Sequence, residues 1–349
     1  MTFYKSPVFF LLVAMGCVNL GAKCLAADAP TKSAKSYKAP RTLDGHPDLQ
    51  GVWTNATLTT VERPANLGNQ ATMTEKDALA REAQMVKMVE DADKPSDPNQ
   101  VQGTGNPGGY NTFWFNPANK VAVVNGERRT SLITKPANGR VPELTERGKE
   151  LVAQRRARQL QGPYDGPEQG NLGERCIVGF GGTAGPPMLP VMYNANYQIV
   201  QSKESVMIQI EMVHDARVVR IGGKHRPANI RTWMGDSIGR YEGDTLVVET
   251  TNYHPGHTIQ IGSGASYRSV IPSDTLKVTE RFTRTDPQSI LYEFTVEDPQ
   301  TFTEAWSGQM PLHTSGEQLY EYACHEGNYA LPGILAGARE DEKKAKPAK

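Results

Sequence analysis

Cysteine, net charge and long apolar runs are what this sequence has least of. Its four cysteines include Cys17 and Cys24 near the N-terminus, so only Cys176 and Cys324 lie in the body of the chain. No CxxC pair occurs, which argues against a cysteine zinc site, and the lack of CxxCH argues against attached haem. Basic and acidic residues number 38 each. A chain with no basic excess has no electrostatic footprint for nucleic acid or anionic lipid, so neither is expected as a partner. Beyond the N-terminus no stretch reaches the ~20 apolar residues that cross a bilayer, and no integral membrane span is expected. Neither a redox-cofactor motif nor a phosphate-binding loop is supported, so no cofactor is expected.

The N-terminus is where the apolar residues gather. Met1 to Ser6 carries one positive charge, Lys5, and runs into the apolar stretch Pro7 to Leu20. Cys24-Leu25-Ala26-Ala27 then offers a small-residue cleavage site, so residues 1–26 read as a secretory signal peptide and the mature chain as a soluble periplasmic or secreted protein. A lipoprotein modified at Cys17 is the minor alternative, with Ala14 where such signals usually carry Leu. Cleavage removes Cys17 and Cys24. In an oxidising compartment Cys176 and Cys324 then read as one disulfide, worth about 5 kcal/mol in the chain-entropy model. The competing reading is a reactive thiol at Cys324 beside His325. Residues 27–41 read as a disordered leader, 42–340 as one β-rich domain, and 341–349 as a charged tail.

Helical periodicity is confined to a few segments. Thr74 and Asp77 open a capping box for a helix over 75–90, a second helix runs over 145–160, and a short last helix follows Pro332. Lys94 to Gly109 reads as a long polar loop. Most of the remainder alternates with period two. Asn125-Gly126 between Val121–Val124 and Arg128–Ile133 is the strongest hairpin signal, because both residues tolerate positive φ. Further strands are expected at Tyr197–Gln201, Val206–Met212, Arg217–Ile221, Ile238–Tyr241, Thr245–Thr250, Thr275–Thr283, Ile290–Val296, Phe302–Met310 and Leu319–Cys324. Many short strands with tight turns predict a mostly β fold, an antiparallel meander closing into a calycin-like barrel or half-open sheet, with a β-sandwich as the alternative.

Gly51-Val52-Trp53 on the first strand resembles the glycine-x-tryptophan signature of lipocalins, which implies an indole plugging the base of a barrel. A broader resemblance covers most of the chain. The blocks EMVHDAR (211–217), WMGDSIGRYEGDTLVV (233–248) and YACHEGNY (322–329) resemble an abundant family of exported proteins of soil and aquatic bacteria. That likeness implies export and a shared β fold, and no catalytic residue, since the family has no assigned activity.

Several motifs could carry chemistry. Gly235-Asp236-Ser237-Ile238-Gly239 matches G-x-S-x-G, but the chain from Arg240 onward reads as a strand, so an α/β-hydrolase elbow is excluded. Ser237 stays a weak nucleophile candidate, with His214 as base and Asp215 or Asp244 orienting it; a capped glycine turn is the plainer reading. Gly179 to Ala184 has the spacing of a dinucleotide fingerprint, yet Gly185-Pro186-Pro187 cannot start the helix it needs, so it reads as a loop beside a cavity. His254 and His257 form H-x-x-H, a weak metal candidate to which His225, His313 or His325 could add a third ligand; no metal is expected.

The favoured constellation is Glu211, His214 and Asp215 with His325 and Glu326 as acid/base groups. Arg217, Tyr193, Asn194, Trp233 and Tyr329 would hold the substrate. Charged groups interrupting apolar strands are costly unless paired or functional, and a buried ion-pair network through Arg217 is the structural alternative. A Cys176–Cys324 bridge would bring His325 and Glu326 beside the glycine-rich loop. Together these features predict an exported enzyme acting on a small or medium organic molecule by metal-independent acid/base chemistry, as a lyase, isomerase or hydrolase. A non-catalytic binding protein of lipocalin type, or an interaction protein of the cell envelope, are the alternatives.

Overall fold

A computed structural model describes residues 37–92, 118–160, 164–179, 182, 184–191, 194–262 and 268–345. The signal peptide, most of residues 27–41, the 94–109 loop, Tyr193 and part of the glycine-rich 179–184 stretch lie outside the described residues, and His214 is described by its backbone alone.

Period-two burial builds the molecule. In β6 (Ser205–Ile210) Val206, Ile208 and Ile210 are buried and their neighbours half-exposed. In β13 (Ser289–Glu297) the same alternation buries Ile290, Tyr292, Phe294 and Val296. Such strands have one apolar face to hide, and curling the sheet upon itself hides all of them at once.

The remaining strands are β1 (Gly51–Thr54), β2 (Val123–Val124), β3 (Glu127–Arg128), β4 (Ile133–Lys135), β5 (Asn196–Gln201), β7 (Ala216–Ile221), β8 (Asp236–Glu242), β9 (Thr245–Thr251), β10 (Ile259–Ile261), β11 (Arg268–Val270), β12 (Lys277–Asp286) and β14 (Trp306–Thr314). Nine of them close into a barrel in the order β1-β5-β6-β7-β8-β9-β12-β13-β14, with β14 returning to β1. That closing pair, Trp53 with Thr314 and Thr54 with His313, rules out the sandwich. β4 pairs with β14 at Ser307 and Gly308. The meander has one departure: β7 and β8 run parallel, so the connection between them runs back from the end of β7 to the end of the barrel where β7 begins.

Trp53 on β1 is buried against its neighbours. The indole is 1% exposed, its Nε1 donates to the Leu49 carbonyl at 2.9 Å, and the Arg284 guanidinium lies 5.5 Å from the ring centroid. Inside, the aromatic rings of Phe282, Tyr292, Phe294 and Trp306 pack edge and face; each fully buried Phe contributes roughly 1.5–3 kcal/mol.

The helices are α1 (Glu75–Ala92), α2 (Glu146–Leu160) and α3 (Ala330–Ala345). Thr74 caps α1, its Oγ1 accepting from the Asp77 amide at 3.2 Å, and Thr145 caps α2 through the Gly148 amide at 3.1 Å. α3 begins two residues before Pro332 and continues through Asp341 to Ala345, so much of the charged C-terminal stretch is helical. None of these helices is long and apolar enough to cross a membrane.

Three local expectations differ from the structure. Asn125 (φ 53°) and Gly126 (φ 80°) do make the hairpin turn, but β2 and β3 are two residues each. The flanking backbone serves the 58–61 segment instead: Ala122 N donates to Thr59 Oγ1 and Leu132 N to the Thr60 carbonyl. β14 starts at Trp306 rather than Phe302, because the Asp298 carbonyl gathers the amides of Thr301 and Phe302 into a turn. Leu319–Cys324 forms no strand. One edge of β14 is taken by β13 and the other is shared by β1 and β4, so no barrel edge is left to pair it.

Candidate functional site

Charge sits in the middle of the barrel. Arg217 on β7 and Glu280 on β12 are inward positions of their strands and are 3% and 0% exposed. The guanidinium meets both carboxylate oxygens, Nη2 to Oε1 at 3.0 Å. Tyr292 donates to the same Oε1 at 2.8 Å, and its oxygen accepts the Met188 amide at 2.9 Å. Asn55 Nδ2 in turn donates to the Tyr197 hydroxyl at 3.0 Å and to the Met188 carbonyl at 3.3 Å. This network ties the segment around Met188 to the inward-facing side chains of the barrel. Burial alone would favour a neutral Arg217, but the Glu280 charge outweighs it and keeps the guanidinium protonated. Burial and the same carboxylate push the hydroxyls of Tyr253 and Tyr292 well above their ordinary range.

Where β8 begins and β9 ends, the loops leading into β8 and out of β9 form the wall of a cleft of about 510 Å³. α2 contributes Leu151 and Gln154, the segment before the disulfide contributes Glu168, Leu172 and Arg175, and Trp233, His257 and Ile271 are among the other lining residues. His254 lies against Trp233 with ring centroids 3.8 Å apart and ring planes tilted by 33°. Its Nδ1 accepts the Gly256 amide at 3.0 Å, which leaves the neutral ring's proton on Nε2.

His257 is 6% exposed and neither ring nitrogen makes a well-formed hydrogen bond among the described residues. Burial pushes its pKa down to about 4; the Trp233 carbonyl opposes this only partly, and His254 adds to it. The imidazole is therefore neutral at neutral pH. Its ring lies 4.8 Å from that of Tyr253, which joins the cleft to the barrel network. On its other side a void of about 20 Å³ separates it from Gly179, Gly182 and Pro186, so the glycine-rich stretch does lie beside a cavity.

Cys176 and Cys324 are bonded, and Asn328 Nδ2 donates to the Glu174 carbonyl at 3.2 Å. The bridge holds the Leu172–Arg175 wall against the C-terminal arm, and it removes the free thiol at Cys324. In that arm His325 and Glu326 face solvent, and Tyr329 is 84% exposed.

The other sequence candidates are scattered. Glu211 is buried and accepts from Asn196 Nδ2 at 2.6 Å. It precedes Val213, whose φ of 64° is strained for a β-branched residue. Asn194 is half-buried, with φ 51°. Arg217 pairs with Glu280, while Asp215 is half-buried just before β7. Ser237 is buried with its hydroxyl 2.8 Å from that of Thr250. Asp244 pairs with Arg41 at the surface. On the outside of the barrel His225 lies between Asp236 at 3.1 Å and Glu249 at 3.2 Å; His313, 3.2 Å from Ser289 Oγ, has its pKa lowered by burial. Among the described residues no third His, Cys, Asp or Glu joins His254 and His257 in a metal-sized group.

Sequence reasoning found Trp233, His254 and His257 and missed Arg175, Glu168 and Glu280. Glu280 had a signal: in Val278-x-Glu280-x-Phe282 it occupies the inward parity of an alternating strand. Arg175 had only its place next to Cys176. No protein-family model, curated protein or solved structure matches this chain at a significant level.

Proposed function

We propose that the chain is an exported protein that takes up a small or medium organic molecule in the cleft between α2 and the loops flanking β8 and β9. The observation that carries this reading is the convergence, on one cleft of about 510 Å³, of an indole, a desolvated neutral imidazole, a guanidinium and a carboxylate among apolar walls. Small-molecule sites fall in roughly the 300–1,000 Å³ range and combine an apolar lining with a few placed polar groups. The disulfide supports an oxidising compartment, and thus export.

Acid/base turnover is the second reading, and His257 favours it. Its burial without a well-formed hydrogen bond would be costly in a purely structural residue. A neutral imidazole can accept a proton from a bound substrate, and a negative charge arriving with that substrate would raise its basicity. In this form the protein is a lyase, isomerase or hydrolase that needs no metal.

The test is native mass spectrometry on the mature protein after incubation with small-molecule extract of its own cells. A retained mass that stays unchanged supports a binding protein. A retained mass replaced by another supports turnover, and His257→Gln should then stop the replacement. No retained mass contradicts both.

A further inference from the structure

Arginine side chains in this fold are mostly paired. Arg217 meets Glu280, Arg220 meets Asp236, Arg128 meets Glu75 and Arg281 meets Glu242. Arg175 departs from that pattern. Its side chain lines the cleft half-buried and makes no ion pair or side-chain hydrogen bond among the described residues. It is also the one cationic side chain in the described lining. A guanidinium is a rigid fork of donors whose geometry matches a carboxylate at two points.

Trp233 supplies the second element. His254 covers part of the indole at 3.8 Å. Gly256 lies so close that a Cβ there would come within 3.1 Å of the ring. An indole clamped in this way is a fixed platform rather than a mobile side chain, and a flat ring stacks on such a platform at little entropic cost. Leu151, Leu172 and Ile271 give the ring's edges apolar contact. Glu168, also free of ion pairs among the described residues, lines the same cleft. It disfavours a second anionic group and accepts a hydrogen bond from a hydroxyl or amino substituent.

Resting on the reading of this cleft as a ligand site, we infer that its ligand is a planar aromatic acid carrying one carboxylate and one hydrogen-bond donor. The carboxylate docks on Arg175, the ring lies along Trp233, and the donor substituent meets Glu168.

Three probes separate these contributions in equilibrium binding to the full mature chain: 4-hydroxybenzoate, its neutral amide 4-hydroxybenzamide, and the non-planar trans-4-hydroxycyclohexanecarboxylate, which keeps the hydroxyl. The hydroxybenzoate should bind at least about tenfold more tightly than either of the others, the size of effect a charge-assisted pair produces. Arg175→Gln should erase its advantage over the amide, Arg175→Lys should retain part of it, and Trp233→Leu should erase its advantage over the cyclohexane acid. Circular dichroism on each variant separates lost binding from lost folding, and should Arg175→Gln not fold, the acid-against-amide ratio on the unmodified chain decides. An amide that binds as tightly as the acid overturns the inference, as does a folded Arg175→Gln protein with its preference intact. If none of the three binds while cell-extract compounds are still retained, the aromatic-acid class falls and the ligand site stands; if nothing is retained, both fall.

Discussion

Arg217 and Glu280 face each other inside the barrel from β7 and β12, 63 positions apart in sequence, and form a two-point ion pair closed off from solvent. Removing one partner leaves the other charge buried and unpaired, whereas replacing both with apolar groups removes the problem. Glu280→Gln should therefore cost about 3–5 kcal/mol. The double variant Arg217→Met, Glu280→Leu should recover most of that loss. Urea unfolding midpoints measure both, and a single variant as stable as the parent would contradict the assigned pairing.

The disulfide spans a sequence separation of 148 residues. In the chain-entropy model a loop of that length is worth about 5 kcal/mol. Cys324→Ser should lower the melting temperature. It should also raise hydrogen exchange in the 172–176 wall of the cleft before it does so in the barrel strands. Equal protection of that wall with and without the bridge would show that the C-terminal arm does not hold it.

His257 and Asp236 both contribute to the acid limb of stability. Burial lowers the His257 pKa from 6.5 to about 4, so between those values the unfolded chain binds a proton that the folded one refuses. Stability from this group is present above 6.5 and is lost as the pH falls through that window. Burial alone would raise the Asp236 pKa, but Arg220, the Arg226 amide and His225 overcome it and hold the carboxylate well below its usual range. Its stabilisation is present above the unfolded carboxylate value and is lost as the pH falls toward the depressed one. NMR titration should find the His257 Cε1 proton moving near pH 4. A midpoint above 6 would contradict its desolvation.

Much of the barrel was legible because inward and outward parity is written into strands such as β6 and β13, and outside it the Asn125-Gly126 turn was legible because it acts locally. The disulfide followed from there being two cysteines left to pair. The parallel β7–β8 pairing was not legible, since parity within a strand says nothing about which edge it meets. Nor was Leu319–Cys324, whose alternation finds no free edge in a closed barrel. The cleft was half legible. Trp233 and His257 fall in aromatic and histidine motifs, but Arg175, Glu168 and Ile271 join them from separate segments, and that meeting depends on the tertiary fold. The Glu211 to Arg217 cluster read as one unit because its residues are adjacent in sequence, yet alternation sends Arg217 into the barrel while Glu211 bonds to Asn196.

Filling the cleft should separate binding from stability. Ile271 is half-buried in its wall, so Ile271→Trp should block the cleft with little effect on unfolding, within about 1 kcal/mol, as expected of a site facing open volume. Native mass spectrometry should then show the retained small molecule lost. Retention by a blocked, folded variant would place the ligand elsewhere.

The most direct measurement follows the indole N–H resonances of the ¹⁵N-labelled protein as the retained compound is titrated in. Trp53 and Trp306 are buried in the barrel and Trp233 lines the cleft. Binding in the cleft predicts that the Trp233 resonance moves in step with occupancy while those of Trp53 and Trp306 stay in place. A stationary Trp233 resonance at full occupancy, with the barrel indoles shifting instead, would contradict the cleft as the ligand site.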